Sequence, residues 1–540
     1  MNRRSPGRRG AIVLPSLAAG FGLALSLPPW GWWPLAFMGA ALLYWRLGSL
    51  RMRTRILAGW LTGVACYGTG LFWARSFNWY GAAALVMAEA LAIAVAAGLT
   101  PPGPGRLPAF VGANTLLEAL RMTWPFGGLP IGGVFLGQAQ GPLLAAARLG
   151  GPLLLTALVW GGGGALGALA ELAAGRWRVG QRPASPARRS LLPGVLALAM
   201  VVLAGLGGAI APDGGPPVRR LAVAAVQGGG RRGTSEAEVR PSTVFGAELA
   251  ATTRLLGNSA GTGPQLVLWP EDVIAITGPL TGTPDAADMA WLAHRLSATV
   301  IAGVTSVVSP TAFRNEAVAW GPDGRVVGAY EKVHRVPFGE YVPYRSFFSH
   351  LANLSAVPLN AVPGHGSGFM RTPAGPLGLL VSYEVFFANR SRPSVSRGAE
   401  LLVVPTNTSS FGTGQVPAQE VAADEVQAVE TGRDLVQAAP TGYSTVVNNT
   451  GDLERRSALG RRQVITATVA LRTGRTLYDL AGDGPALGLA ALLWVVGWAA
   501  DLRRRRQRGA SDGHGEPVVV HPDRAYTAAM VHDPLLKGRS

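Results

Sequence analysis

Hydrophobic positions follow two regimes along this chain. Up to residue 212 they gather into long blocks, seven apolar segments at 11–27, 33–47, 56–73, 81–99, 108–117, 142–169 and 191–210, and an eighth stands alone at 486–500. A helix of about 20 apolar residues crosses a bilayer, so the blocks predict a multi-pass α-helical membrane bundle of about eight spans, with 108–117 the weakest match. From Val218 to Thr476 the apolar residues come instead in short runs separated by Gly, Pro and polar turns. The change divides the chain into a membrane domain at 1–212, a soluble insert at 218–476, a last span at 486–502 and a polar tail at 503–540, expected to be disordered.

Within the insert, the near-continuous apolar runs 221–226, 266–269, 299–308, 377–381 and 401–404 are typical of strands buried on both faces. Pro322-Asp323-Gly324 separates 317–320 from 325–330 and has hairpin chemistry. Segments 285–296 and 417–431 carry helical character, so the insert reads as a layered α/β domain with one core. It contains no Gly-rich phosphate loop, no His-Glu-x-x-His and no internal repeat.

Composition supports the division: 48% of the 540 residues are hydrophobic and 15% charged. Basic residues then orient the spans, because short cytoplasmic loops retain Arg and Lys. Arg3, Arg4, Arg8 and Arg9 precede the first block, Arg51, Arg53 and Arg55 follow the second, and Arg106 follows the fourth. Arg176, Arg178, Arg182, Arg188 and Arg189 follow the sixth, and Arg503, Arg504, Arg505 and Arg506 the eighth. Every second connection is basic, which places both termini in the cytoplasm and the insert outside a cell membrane. The net charge of +17 is then a topology signal and not a nucleic-acid patch. A cleaved signal peptide also fits basic residues followed by an apolar run, but the later blocks favour a retained first span.

Of the 48 basic residues only Lys332 and Lys537 are lysines, and Lys332 lies in the string Tyr330-Glu331-Lys332-Val333-His334-Arg335-Val336-Pro337-Phe338-Gly339-Glu340-Tyr341-Val342-Pro343. Where Arg serves every other need for charge, a Lys points to a compact ammonium or to an amine whose pKa burial lowers. Glu271, Lys332 and Ser382 each stand just past an apolar strand run, and strand ends are where ligands bind in α/β sheets. A carboxylate, a cation and a hydroxyl together are the parts of an acyl-transfer site. Cys66, the only cysteine, falls in the third block and reads as a small buried apolar residue, which excludes disulfides and cysteine metal sites. Glu89, in the fourth block, is functional, paired within the bundle or placed near the interface, and Glu118 with Arg121 has the spacing of a helical ion pair.

At these residues the chain resembles the apolipoprotein N-acyltransferases, the membrane-bound branch of the nitrilase superfamily. The resemblance rests on Leu268-Trp269-Pro270-Glu271, the Lys332–Pro343 string, Tyr383-Glu384-Val385-Phe386, Asn407, Gln419, Glu430-Thr431-Gly432-Arg433, Thr441-Gly442-Tyr443-Ser444 and Asp483. In the membrane part it rests on Gly59-Trp60, Gly70-Leu71-Phe72-Trp73, Glu118 with Arg121, and Gly128-Leu129-Pro130. It implies a nitrilase-like αββα sandwich and ping-pong acyl transfer from a phospholipid donor to the amino group of a diacylglyceryl-cysteine on a lipoprotein. It further implies Glu271 as general base, Lys332 as oxyanion stabiliser, the residue at 382 as nucleophile, and Glu340, Glu384, Tyr383 and Asn407 as supporting or substrate-binding groups. No cofactor, metal or nucleic acid is implied, and a monomer is expected.

The chain departs from the family at three places. Ser382 stands where the family has its nucleophilic Cys, Asn407-Thr408-Ser409-Ser410-Phe411 lacks the usual Asp and aromatic pair, and Glu420 replaces the histidine that usually follows Gln419. A second reading is therefore a catalytically silent member that scaffolds another lipid or lipoprotein enzyme. Retention of Glu271, Lys332, Glu340 and Glu384 favours the enzyme, and a transporter would leave the large insert unexplained.

Overall fold

The computed structural model describes residues 7–177, 191–231, 239–257, 263–350, 353–355, 357–411 and 414–512. Arg3, Arg4, Arg178, Arg182, Arg188, Arg189, Lys537 and the tail beyond 512 lie outside the described residues. All eight apolar blocks are helical: α1 (Gly7–Leu25), α2 (Pro34–Leu47), α3 (Met52–Gly70), α4 (Trp79–Gly98), α5 (Arg106–Arg121), α6 (Ala147–Trp177, kinked at Gly150 and Gly151) and α7 (Leu192–Ile210) precede the insert, and the eighth helix follows it. Among the described residues, Trp79–Gly98, Leu144–Ala174, Leu192–Ile210 and Gly484–Gln507 are long and apolar enough to cross a membrane. α7 exposes Leu192, Leu196, Met200, Leu203, Leu206 and Ile210, an apolar surface suited to lipid. Small residues bring other helices together: a Cβ on Gly59 of α3 would lie 2.5 Å from the Ile93 carbonyl of α4.

Two of the arginines that mark the basic connections are buried. Arg55 donates to the carbonyls of Leu47 (3.1 Å), Leu50 (3.0 Å) and Thr100 (2.5 Å), and Arg106 pairs with Glu171. Glu89 is paired as well, 3.1 Å from Arg121, which also meets Glu118 at 2.7 Å.

The insert folds into two sheets. The first contains β1 (Arg219–Gln227), β2 (Leu266–Leu268), β3 (Ile274–Thr277), β4 (Thr299–Ser309), β5 (Ala312–Trp320), β6 (Val326–Glu331) and β7 (Asn360–Ala361). The second contains β8 (Phe369–Thr372), β9 (Gly375–Leu379), β10 (Leu401–Pro405), β11 (Leu435–Ala438), β12 (Thr445–Val447) and β13 (Leu453–Arg456). The final strand, β14 (Gln463–Leu471), returns to the first sheet beside β1, giving the order β14-β1-β2-β4-β5-β6 against β13-β12-β11-β10-β9-β8. Alternate side chains explain the apolar runs. Leu266 and Leu268 face Leu401 and Val403 across the gap between the sheets, while Val267 and Trp269 pack outward. That outer face carries α8 (Pro241–Thr252) and α9 (Pro284–Leu296).

The second sheet is covered by α11 (Ala388–Ser396) and α12 (Gln415–Thr431), a short α10 (Arg345–Phe348) having followed the Lys332 string. Leu402 and Val404 share a core with Ala422, Val426 and Val429 of α12 and with Leu144, Leu155 and Val159 of the bundle. α12 is thus buried on every side, sheet below and bundle above, although it carries many polar residues. Gln415 donates to the Thr69 carbonyl (2.8 Å) and Gln419 to that of Gly70 (2.9 Å), two of the carbonyls a helix leaves unpaired at its C-terminus. A five-residue α13 (Leu477–Ala481) leads into α14 (Gly484–Asp512), which runs on as helix through Arg503–Arg506.

Candidate active site

β2, β6, β9 and β10 end at one edge of the two sheets, and the residues just past them carry the candidate chemistry. Lys332 follows β6 directly and is 1% exposed. Its Nζ donates to Glu271 Oε1 at 2.8 Å and to Glu340 Oε1 at 2.5 Å, which leaves one ammonium proton directed elsewhere. Burial opposes the ammonium, but the carboxyls of Glu271 and Glu340 more than reverse this and hold the Lys332 pKa above its ordinary value. Two carboxyl oxygens in contact with Nζ favour a Lys332 that carries its charge over an amine whose pKa burial lowers.

Asn315 of β5 completes this cluster. Its Nδ2 donates to Glu271 Oε1 (2.8 Å) and reaches Glu340 Oε1 (3.3 Å), and its carbonyl accepts the Lys332 N–H (2.8 Å). Both contacts fall on Oε1 of Glu271, and no hydrogen bond to Oε2 occurs among the described residues. Glu340 is fixed by its other oxygen, which accepts the Val336 N–H at 2.8 Å. Burial and then the nearby Glu271 raise the Glu340 pKa, with Lys332 acting in the opposite direction.

Ser382 occupies a sharp turn from β9 into a one-turn 3-10 helix, Ser382–Phe386. Its φ of +51° is left-handed, a conformation that costs a non-glycine residue about 1–3 kcal/mol and is concentrated at functional sites. Asp272, beside Glu271, and Phe338, in the Lys332 string, share it at +57° and +60°. No hydrogen bond joins Ser382 to Lys332 or Glu271 among the described residues; Glu384 ties their segments together. Its fully buried carboxylate accepts Tyr330 OH (3.0 Å), the Val333 and His334 N–H groups (2.9 Å each) and the Val381 N–H (2.9 Å). One side chain thereby pins the residues after Lys332 to the residue before Ser382. The Glu271 N–H meets the Thr406 carbonyl at 3.3 Å, joining the ends of β2 and β10. Asn407 stands farther back and engages Asp272, whose pKa burial and then Glu271 raise.

Tyr383 points away from this cluster, toward the bundle, where its hydroxyl donates to the Gly128 carbonyl at 2.8 Å. His334 stacks on Phe387 (3.7 Å between centroids) and approaches the Gly127 carbonyl at 3.1 Å. Burial lowers its pKa to about 4, so the ring is neutral at physiological pH. Glu420 accepts Thr406 Oγ1 at 2.5 Å, and burial lifts its pKa to about 8. No group of three or more His, Cys, Asp or Glu able to hold a metal occurs among the described residues.

Sequence reasoning missed Asn315, Asp272 and the carbonyls of 126–128. Asn315 lies in a strand with no motif around it, and backbone carbonyls leave no mark in a sequence. Asn315 stands between Arg314 and Glu316, so in the sequence it reads as one more polar position of the strand.

Comparison with known proteins covers both parts of the chain. Residues 19–165 match the apolipoprotein N-acyltransferase N-terminal domain and residues 223–478 the carbon-nitrogen hydrolase family. The apolipoprotein N-acyltransferase of Mycolicibacterium smegmatis is 32% identical, covering 92% of this chain and 88% of its own length. That of Azotobacter vinelandii is 30% identical (94% and 97% covered), and that of Geobacter metallireducens 28% (91% and 95%). With both of its parts matched in order and relatives aligned nearly end to end, this chain belongs to the apolipoprotein N-acyltransferase family.

Proposed function

We propose that this protein N-acylates the amino-terminal diacylglyceryl-cysteine of lipoproteins, using a phospholipid as acyl donor. The observation that carries the reading is the buried Lys332 ammonium, fixed between Glu271 and Glu340 at the strand ends that also present Ser382. In the first half-reaction Ser382 Oγ attacks the donor ester carbonyl and Glu271 takes its proton through Oε2. The free ammonium proton of Lys332 meets the oxyanion. Collapse breaks the bond to the glycerol oxygen, which receives the proton from Glu271 and leaves as lysophospholipid. In the second half-reaction the neutral amine attacks the acyl-serine and gives a proton to Glu271. Ser382 Oγ departs with that proton, and the amide is complete.

Placement of the chain follows from the substrates. Withdrawing an acyl chain into water costs about 0.8 kcal/mol per methylene, so the site serves lipids best beside a bilayer. In this reading all eight helices span the membrane, both termini are cytoplasmic, the domain at 218–476 is extracytoplasmic, and the protein acts as a monomer. In the same reading 1–212 is the bundle, 486–502 the last span and 503–540 the cytoplasmic tail.

The test is transfer of labelled acyl chains from phospholipid to a diacylglyceryl peptide, with acyl-enzyme trapped on the full chain. Serine is less ionised than cysteine at neutral pH, and its oxygen ester is less reactive toward amines than a thioester. Measurable but slow transfer is expected from the native protein, loss in Ser382→Ala, and a gain in Ser382→Cys. Absence of transfer in the native protein and in Ser382→Cys alike would reject the enzyme.

A further inference from the structure

The segment from Phe126 to Gly132 is a strap held from two sides. Its first three carbonyls accept hydrogen bonds from the catalytic domain: Phe126 from Tyr341 OH (3.1 Å), Gly127 from His334 (3.1 Å) and Gly128 from Tyr383 OH (2.8 Å). Its next three face the bundle, where the Arg121 guanidinium donates to the carbonyls of Leu129, Pro130 (3.2 Å) and Ile131 (3.1 Å). Gly132 then gives its N–H to Gln419 of α12 at 2.9 Å. Six successive carbonyls are thus divided between the membrane part and the residues flanking Lys332 and Ser382. Phe126, Gly127 and Gly128 all have positive φ (+57°, +97°, +90°), and a Cβ on Gly128 would lie 2.1 Å from the Met122 carbonyl carbon. The strap has little freedom to take another shape.

Arg121 is 4% exposed and binds two carboxylates, Glu118 through Nε (2.9 Å) and Nη2 (2.7 Å) and Glu89 through Nη1 (3.1 Å). An ion pair joining α4 to α5 would need no contact beyond those helices. Here the planar fork extends to three carbonyls outside the helix, which a lysine has no geometry to reproduce. We infer that Arg121, oriented by Glu118 and Glu89, is a positioning residue for acyl transfer: it fixes the strap and, through the three carbonyls at 126–128, the placement of the Lys332 string and of Tyr383 next to Ser382. The inference rests on the acyltransferase reading above. Glu89, an ionisable residue in an apolar helix, acquires a role by it.

The experiment uses the full chain in lipid and measures kcat and KM for the phospholipid, with amide hydrogen exchange across 332–343. Loss of sub-ångström placement costs about 100-fold in rate, so Arg121→Gln is expected to lower kcat by about that factor while KM holds, and to speed exchange at 332–343. Tyr341→Phe, which removes only the hydroxyl on the Phe126 carbonyl, is expected to lower kcat less, and to add nothing once Arg121 is Gln, because both act through one strap. Native kcat in Arg121→Gln, multiplicative effects in the double variant, or unchanged exchange at 332–343 would each overturn the inference. If Arg121→Gln does not fold, Glu89→Gln carries the same test with a smaller change expected in the same direction, and a native kcat and exchange rate there overturn it. A native protein without transfer would defeat the acyltransferase reading itself, and hydrogen exchange would still decide whether Arg121 governs the Lys332 string.

Discussion

Lys332 shows how a single residue can be specified by what surrounds it. Its Nζ sits between two carboxyl oxygens at 2.8 and 2.5 Å, in a pocket where the side chain is 1% exposed. A guanidinium keeps the charge but is larger and planar, so Lys332→Arg displaces either Glu271 or Glu340. Removing one oxyanion donor costs about 10²–10³-fold in kcat. A loss of at least that size is expected in the acyl-transfer assay for a folded Lys332→Arg variant, and near-native product would remove Lys332 from the mechanism. Glu420 makes a different prediction. Burial raises its pKa to about 8 from 4.5, so the stability tied to this carboxyl is fully present below its unfolded value and is lost as pH rises through about 8. Glu420→Gln removes that titration. The variant is expected to keep its Tm on going from about pH 5 to about pH 9 better than the native chain does. Parallel Tm curves would show that Glu420 is already charged at neutral pH.

Elements were legible where one chain segment determines its own burial. The runs at 221–226, 266–269, 299–308 and 401–404 became β1, β2, β4 and β10 because strands with a layer on either face must be apolar at every position. The Pro322-Asp323-Gly324 turn joins β5 to β6 as expected, with Gly324 at a φ of +77°. Among the elements that escaped were β11 to β14, whose segments mix Gln, Thr and Arg with apolar residues, and the short β3, β7 and β8. α12 was visible as a helix, but its all-round burial was not, since a helix rich in Glu and Gln ordinarily faces water. Its second face became intelligible only with the bundle in place. Phe411, which departs from the expected aromatic pair, nevertheless meets Trp73 (5.1 Å) and Phe77 (5.5 Å) of the membrane part. At the site, the strand-end positions of Glu271, Lys332 and Ser382 were readable, whereas Asn315 was fixed by contacts formed only on folding.

At the scale of the whole molecule, charge alternation and helix order make one falsifiable statement about sidedness. A reporter domain inserted near Gly321, in the β5–β6 turn, is expected to behave as extracytoplasmic, and one following Arg506 as cytoplasmic. Cytoplasmic behaviour at Gly321 would separate the site from exported lipoproteins. The shared core running from α6 through α12 to β10 bears on how the protein comes apart. Family matches cover 19–165 and 223–478 separately, yet one hydrophobic core holds residues of both parts, and each completes the other's packing. Folding cooperativity follows contacts and not sequence boundaries. The two halves are therefore expected to unfold as one unit: a lesion among the membrane helices should destabilise the catalytic sandwich, and the sandwich released from its helices would present the apolar side of α12 to water as a surface for aggregation.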